Sequence, residues 1–174
     1  NFSSQLAKEK IINLAFKFHS EGNILEAVNY YQYFINEGFN DYKLFSNYGV
    51  ILRDLGKLKE SEALLRKSIT LNPEYPKAYY NLGNTLIDLG ELDEAERLTR
   101  KAIGLKSDYS LAHSNLGNIL KEQGKLKEAE KSLFMAIKIK PDFAEAFYNL
   151  GNTLKDLGKL NESEIYLKKA IELK

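Results

Sequence analysis

The sequence predicts an all-α fold, a solenoid of five stacked helical hairpins, and three observations carry the prediction. The stretch "NLGNTLIDLGELDEAE" at 81–96 returns almost unchanged as "NLGNILKEQGKLKEAE" from 115 and "NLGNTLKDLGKLNESE" from 149, a spacing of 34 residues. Gly22, Gly56, Gly90, Gly124 and Gly158 fall in the same register, so five units fill the chain: 8–41, 42–75, 76–109, 110–143 and 144–174. Around each glycine lie two stretches with apolar residues at helical spacing, and a glycine between two helices suits a turn because it takes positive φ without a Cβ clash. One such hairpin cannot bury its own apolar face, so neighbours must stack to make a core.

The elements follow in order. The first unit departs most from the pattern: Ala15 stands where later units have glycine, Phe39 where they have proline, and "YYQYF" (30–34) is unusually aromatic. It reads as a divergent N-terminal cap, as terminal repeats are commonly atypical. In the second unit Gly49 and Ser61 are the small residues that let the two helices approach, and Pro73 closes the hairpin, since proline cannot continue a helix. The third opens with Pro76, which fits a first helical turn. Its first helix buries Tyr79, Leu82, Gly83 and Leu86 at i, i+3, i+4 and i+7, and its second repeats the device with Leu92, Ala95, Leu98, Ala102 and Leu105. Ser107 replaces the proline there, and Gly104, late in the second helix, costs about 1 kcal/mol against alanine, which predicts early fraying. Gly117, Ala129 and Pro141 order the fourth unit, and Gly151 and Ser163 the fifth.

The spacing of large residue, Leu-Gly, large, then small, large and proline, read as His113, Leu116-Gly117, Leu120, Ala129, Leu133 and Pro141, resembles the tetratricopeptide repeat across essentially the whole chain. The resemblance implies a right-handed α-solenoid, read as a single domain over 1–174. It also implies that first helices line a concave inner wall, the surface such solenoids use for binding.

At about 100° per residue, and with Lys77 as zero, Asn81 lies near 40°, Asn84 near −20° and Asp88 near 20°, opposite the apolar stripe near 180°. The expectation is therefore that both asparagines point away from the core into a groove. They form two columns: Asn13, Asn47, Asn81, Asn115 and Asn149, then Asn84, Asn118 and Asn152. A carboxamide offers donors and an acceptor with no charge to desolvate, so a ladder of them suits the backbone of an extended peptide. The first column resembles the asparagine ladder in O-linked N-acetylglucosamine transferases. Bonds between adjacent helices, or copying by duplication, are the alternative explanation of the columns. Lys77, Lys121, Asp88 and Glu122 sit beside the ladder, among Lys43, Arg53, Lys155, Asp54 and Asp156. Tyr80 and Tyr148 occupy the place where chaperone-binding members of the family would need a lysine or arginine to clamp a C-terminal carboxylate. Ile12, Ser46 and Ser114 fill the rest of that column, so the clamp is missing. The two tyrosines suit either packing or stacking on a ligand.

Nothing in the sequence points to catalysis. His113 shares a column with Phe45, Tyr79 and Phe147 and reads as an inter-helix packing residue, while His19 reads as polar surface. Every glycine is explained by hairpin geometry, so no phosphate-cradling loop is left over. Carboxylates such as Asp93 and Glu94 open second helices, where negative charge favours the helix dipole. No cysteine is present, and no cofactor or metal is expected. The net charge of +1 comes from 25 basic and 24 acidic residues spread along the chain, which favours neither nucleic acid nor a membrane as partner. Asn1 and Asn161 each begin an Asn-x-Ser triplet, too short a pattern to carry weight.

The functional expectation is a cytoplasmic, non-enzymatic scaffold that holds a protein or peptide segment in its groove. One alternative is the substrate-recruiting arm of a larger enzyme such as a protein glycosyltransferase, with this chain a piece of it. The other is self-assembly, giving a homo-oligomer, through the apolar face of the last hairpin.

Overall fold

The structure is a computed structural model that describes residues 2–173, with side chains described for 5–173. Asn1, with its Asn-x-Ser triplet, and Lys174, the last residue of the fifth unit, lie outside the described residues. Ten helices and no strand occur among the described residues: α1 (Phe2–Ser20), α2 (Ile24–Asn36), α3 (Tyr42–Asp54), α4 (Leu58–Leu71), α5 (Pro76–Asp88), α6 (Leu92–Leu105), α7 (Ser110–Glu122), α8 (Leu126–Ile139), α9 (Ala144–Asp156) and α10 (Leu160–Glu172). They pair as five hairpins, one to each 34-residue unit. The chain divides into two compact units, Asn1–Glu74 with two hairpins and Tyr75–Lys174 with three.

The hairpin turns follow one design. Gly90, for example, takes φ 78°, donates its N–H to the Ile87 carbonyl at 2.9 Å, and hands the next N–H, that of Glu91, to Leu86 at 2.8 Å. The last carbonyls of the first helix are thereby satisfied before the second begins. Pro76 stands in the first turn of α5, and α4 and α8 end just ahead of Pro73 and Pro141. The first junction is different. Gly38, at φ 75°, closes α2, and Phe39 packs its ring on Phe34 at 5.4 Å, which fixes the turn without a proline.

In the N-terminal unit the core joins Ala15, Ala27, Tyr31, Phe34, Leu44, Phe45 and Leu52, all buried. Ala15, where later units have glycine, is fully buried in the same cluster as Tyr31 and Phe34 of α2. In the C-terminal unit, Ile103 of one hairpin packs on Leu116, Leu120 and Ala129 of the next. Ile137 does the same on Leu150 and Leu154. Each leucine so covered contributes about 1.5–3 kcal/mol, and most of that gain needs the neighbour.

Within a hairpin the small residues do more than make room. The Ser61 and Ser163 hydroxyls each donate to the carbonyl of the facing glycine, Gly49 and Gly151, at 2.7 Å. A methyl group at Gly117 would lie 2.5 Å from Leu133 Cγ, whereas one at Gly104 would meet nothing within 4 Å. The helix does not end early at Gly104: α6 runs on to Leu105, as long as α4 and α8. Its remaining backbone bonds and the burial of Ala102 and Leu98 hold it.

Hairpins 3, 4 and 5 are also clasped by charge. Lys125 donates to Glu96 at 2.8 Å and Lys159 to Glu130 at 2.7 Å, each lysine standing just after the turn of the next hairpin. Arg100 holds both Glu96, at 2.9 Å, and Glu128, at 3.2 Å. The Lys125 bond, helped by Arg100 and Gln123, holds the Glu96 carboxyl below the usual glutamate range.

Two predictions follow from this packing. G117A will lower stability by about 1–2 kcal/mol, the overpacking cost exceeding the helix-propensity gain, while G104A will raise it by about 0.5–1 kcal/mol; urea denaturation of both measures the opposite signs. Because the folded pKa of Glu96 is depressed, its contribution is full above the unfolded value of about 4.3 and fades as pH falls through the folded one. E96Q will therefore cost stability at pH 7, and its melting temperature will converge with that of the parent chain on acidification to about pH 3.

Candidate peptide-binding face

First helices carry the asparagines, and their placement is set by how these helices meet. In the C-terminal unit α5 touches α7 and α7 touches α9, with no comparably extensive contact between second helices among the described residues. The first-helix side is therefore the tighter, inner side of this unit. It presses polar faces together rather than leaving all of them open to solvent.

The asparagines accordingly differ from one another. Asn81 is buried, at 4% exposure, and the expectation that its side chain stands open in a groove is not met. Asn84 and Asn115 are half-buried, and the Asn115 amide donates to the Asn84 side-chain oxygen, a bond between adjacent hairpins. The equivalent pair one hairpin on is Asn118 and Asn149, also half-buried. Here Asn149 Nδ2 is shut off from solvent and has no hydrogen-bond partner. Asn152, the last of the second column, is half-buried as well. The same residue type thus closes one junction and leaves a donor unspent at the next.

The flanking residues divide in the same way. Tyr80 packs on Tyr109, the residue just ahead of α7, ring centres 5.0 Å apart. Burial, with Tyr80 and Tyr75 close by, pushes the Tyr109 hydroxyl well above its usual pKa. Tyr148, at the same place two hairpins later, is 53% exposed. Ser114, between them in the column, is buried. Lys121 is half-buried and pairs with Asp156 at 3.3 Å, bridging α7 and α9, while Lys77, Asp88 and Glu122 are exposed.

In the N-terminal unit, Asn47 bonds inward to the Tyr31 hydroxyl. That hydroxyl also meets His19 Nδ1 at 2.9 Å, and the Tyr31 ring stacks on Tyr48 at 5.3 Å. Burial pushes the Tyr31 hydroxyl far up in pKa, with the Asn47 bond pulling it partly back. His19 is thus half-buried and committed to an internal network rather than lying as plain polar surface. The signal in the sequence was Tyr31, a polar-tipped aromatic that needs a partner once buried. His113 is buried with its Nε2 3.0 Å from the Ser107 carbonyl, in line with the packing role expected of it.

Among the described residues no group of three or more His, Asp or Glu is placed to hold a metal ion. No described helix is long and apolar enough to cross a membrane.

These features define an all-α protein of repeated helical hairpins, in class a protein-interaction scaffold. Family descriptions match along it: "Tetratricopeptide repeat" over 76–109 and 144–174, and "TPR repeat" over 49–90 and 117–158. The chain belongs to the tetratricopeptide repeat family. No curated protein matches it in sequence. Among solved structures it is similar to MamA, with 26% identity and a TM-score of 0.79 over 92% of this chain and 94% of that one. MamA 41-end from Desulfovibrio magneticus RS-1 is similar at 18% identity and TM-score 0.82, over 95% and 94%. YrrB, described as "a TPR protein with an unusual peptide-binding site", is similar at 22% identity and TM-score 0.75, over 100% and 92%. The last two likenesses speak for the fold alone.

The Asn84–Asn115 bond is testable by a double-mutant cycle. N84A and N115A together will cost less than the sum of the single changes, with a coupling of about 0.5–1.5 kcal/mol in urea denaturation.

Proposed function

We propose that this chain is a non-enzymatic scaffold that binds an extended peptide or protein segment on the first-helix face of its C-terminal unit. The observation that carries the reading is the unpartnered Asn149 amide, one hairpin beyond an Asn84–Asn115 pair that is closed. A buried donor without an acceptor costs about 1–3 kcal/mol. Rotation about the soft terminal torsion of the side chain turns that donor toward the half-open face, where a ligand carbonyl can take it. Asn118 and Asn152 lie on the same face as neighbouring carboxamides, and Tyr148 offers an exposed ring beside them. Lys121 with Asp156, and the exposed Glu122, give the face both signs of charge, which suits backbone recognition with modest side-chain preference. Asn115, Asn84 and Tyr80 hold the platform rather than the ligand, because their polar or aromatic groups are already paired. Lys77 and Asp88 extend the polar face at the α5 end. Protein or peptide is thus the partner class, and the peptide-binding description of YrrB agrees with it.

The test is a displayed library of random linear peptides selected on the chain, followed by fluorescence anisotropy of the enriched sequences. N118A/N149A will weaken them about tenfold or more, as expected for one or two lost hydrogen bonds, with melting unchanged or raised. Equal affinity for both forms would contradict the assignment, and so would a large fall in melting temperature, which would make the pair structural.

A further inference from the structure

Away from that face, on the second-helix side of the C-terminal unit, two successive junctions between hairpins differ in a way that the repeat makes plain. At the junction of hairpins 4 and 5, three aromatic rings fill the space. Tyr166 stands edge-on to Phe134 with centres 5.6 Å apart and stacks on Phe147 at 6.0 Å. The residues 34 positions earlier, at the junction of hairpins 3 and 4, are Ser132, Arg100 and His113. None of the three fills the volume of its counterpart. Ser132 is too short, Arg100 is drawn off to Glu96 and Glu128, and His113 is held by the Ser107 carbonyl at 3.0 Å.

The result is an open cavity of about 380 Å³ with Ile103, Leu116 and Met135 in its lining. Gly104 widens it, where the same column elsewhere carries Asn36, Thr70, Lys138 and Glu172. Met135 likewise stands where hairpins 2, 3 and 5 have Lys67, Lys101 and Lys169 and hairpin 1 has Tyr33. Of these, Lys67 lies over the Phe45 ring at 4.4 Å. Residues that differ from the repeat at several positions therefore meet in one place and make one hole. Lys131 stands at its edge, exposed and paired with no described carboxylate, whereas Arg100 is already paired with Glu96 and Glu128.

We infer that this cavity is a second docking site, which takes one aromatic side chain of a partner protein segment with a carboxylate beside it. The aromatic preference follows from the neighbouring junction, where the equivalent space is filled by the ring of Tyr166. A ring entering between Ile103, Leu116 and Met135 gains apolar burial and the sulfur–aromatic contact that methionine favours. The carboxylate preference follows from Lys131, since an exposed cation at the mouth of an apolar pocket is best met by an acid on the ligand. The site is separate from the asparagine face and does not depend on it.

Met135 is the chain's only methionine, so its methyl group is a single assigned reporter inside the cavity. The probes are the blocked tripeptides acetyl-Asp-Phe-Asp-amide, acetyl-Asp-Ala-Asp-amide and acetyl-Asn-Phe-Asn-amide, titrated into the full chain with a 13C-labelled methionine methyl. The acidic phenylalanine peptide will shift the Met135 methyl saturably, the alanine peptide will not, and the neutral phenylalanine peptide will bind at least about threefold more weakly. S132Y, which supplies the ring present at the next junction, will abolish the shift while keeping or raising the melting temperature. H113F will do the same from the other wall, and N118A/N149A will leave the titration unchanged. No saturable shift, equal response to the alanine peptide, or undiminished binding by folded S132Y or H113F would overturn the assignment. Equal affinity for the two phenylalanine peptides would overturn its acidic part.

Discussion

The structure depends on one constraint: a 34-residue helical hairpin has an apolar face that it cannot cover by itself. Ile103 and Ile137 show the consequence, each half-buried only because the next hairpin brings Leu116 or Leu150 against it. Ile171 occupies the same column and is 74% exposed. Everything else is arranged around these junctions. Turn glycines set the spacing, small residues at Gly117 and Ala129 let helices close, and the Lys125–Glu96 and Lys159–Glu130 clasps fix how one hairpin lies on the next. The clasps are half-exposed ion pairs of modest strength, so they align what burial holds.

Because the junctions are repeated, each departure from the repeat is informative. An asparagine that pairs at one junction and lacks a partner at the next marks a place where binding energy is available without rebuilding the fold. Three aromatic side chains at one junction, replaced by Arg100, Ser132 and His113 at the previous one, mark a space where packing has been given up. The two surfaces face different chemistry: amide donors and mixed charge on the first-helix side, an apolar hollow edged by Lys131 on the second-helix side.

Much of this was legible in the sequence, because a fixed period makes each helix a comparison with its copies. The five hairpins, the turn glycines, the closing prolines and the packing of His113 all follow from one register. What a single-helix reading could not see was the neighbour. Angular arithmetic on α5 placed Asn81 and Asn84 opposite the apolar stripe, which is true of the helix. It took that side to be open, whereas the first helices approach one another there, so that Asn84 closes on Asn115. The reading of Tyr80 left packing and ligand stacking equally open, and the structure places it on Tyr109. His19 was missed for a related reason: its partner Tyr31, and Asn47 that bonds Tyr31 in turn, lie on two other helices, and no local spacing links the three.

The measurement that tests the central claim most directly is native-state hydrogen exchange, resolved residue by residue. If burial between hairpins carries the stability, amides of α7, packed against hairpins on both sides, will exchange most slowly, and those of α10, with Ile171 uncovered, fastest within the C-terminal unit. Equal protection of α7 and α10 would contradict the account, since it would mean that each hairpin is stable without the neighbour that the packing says it needs.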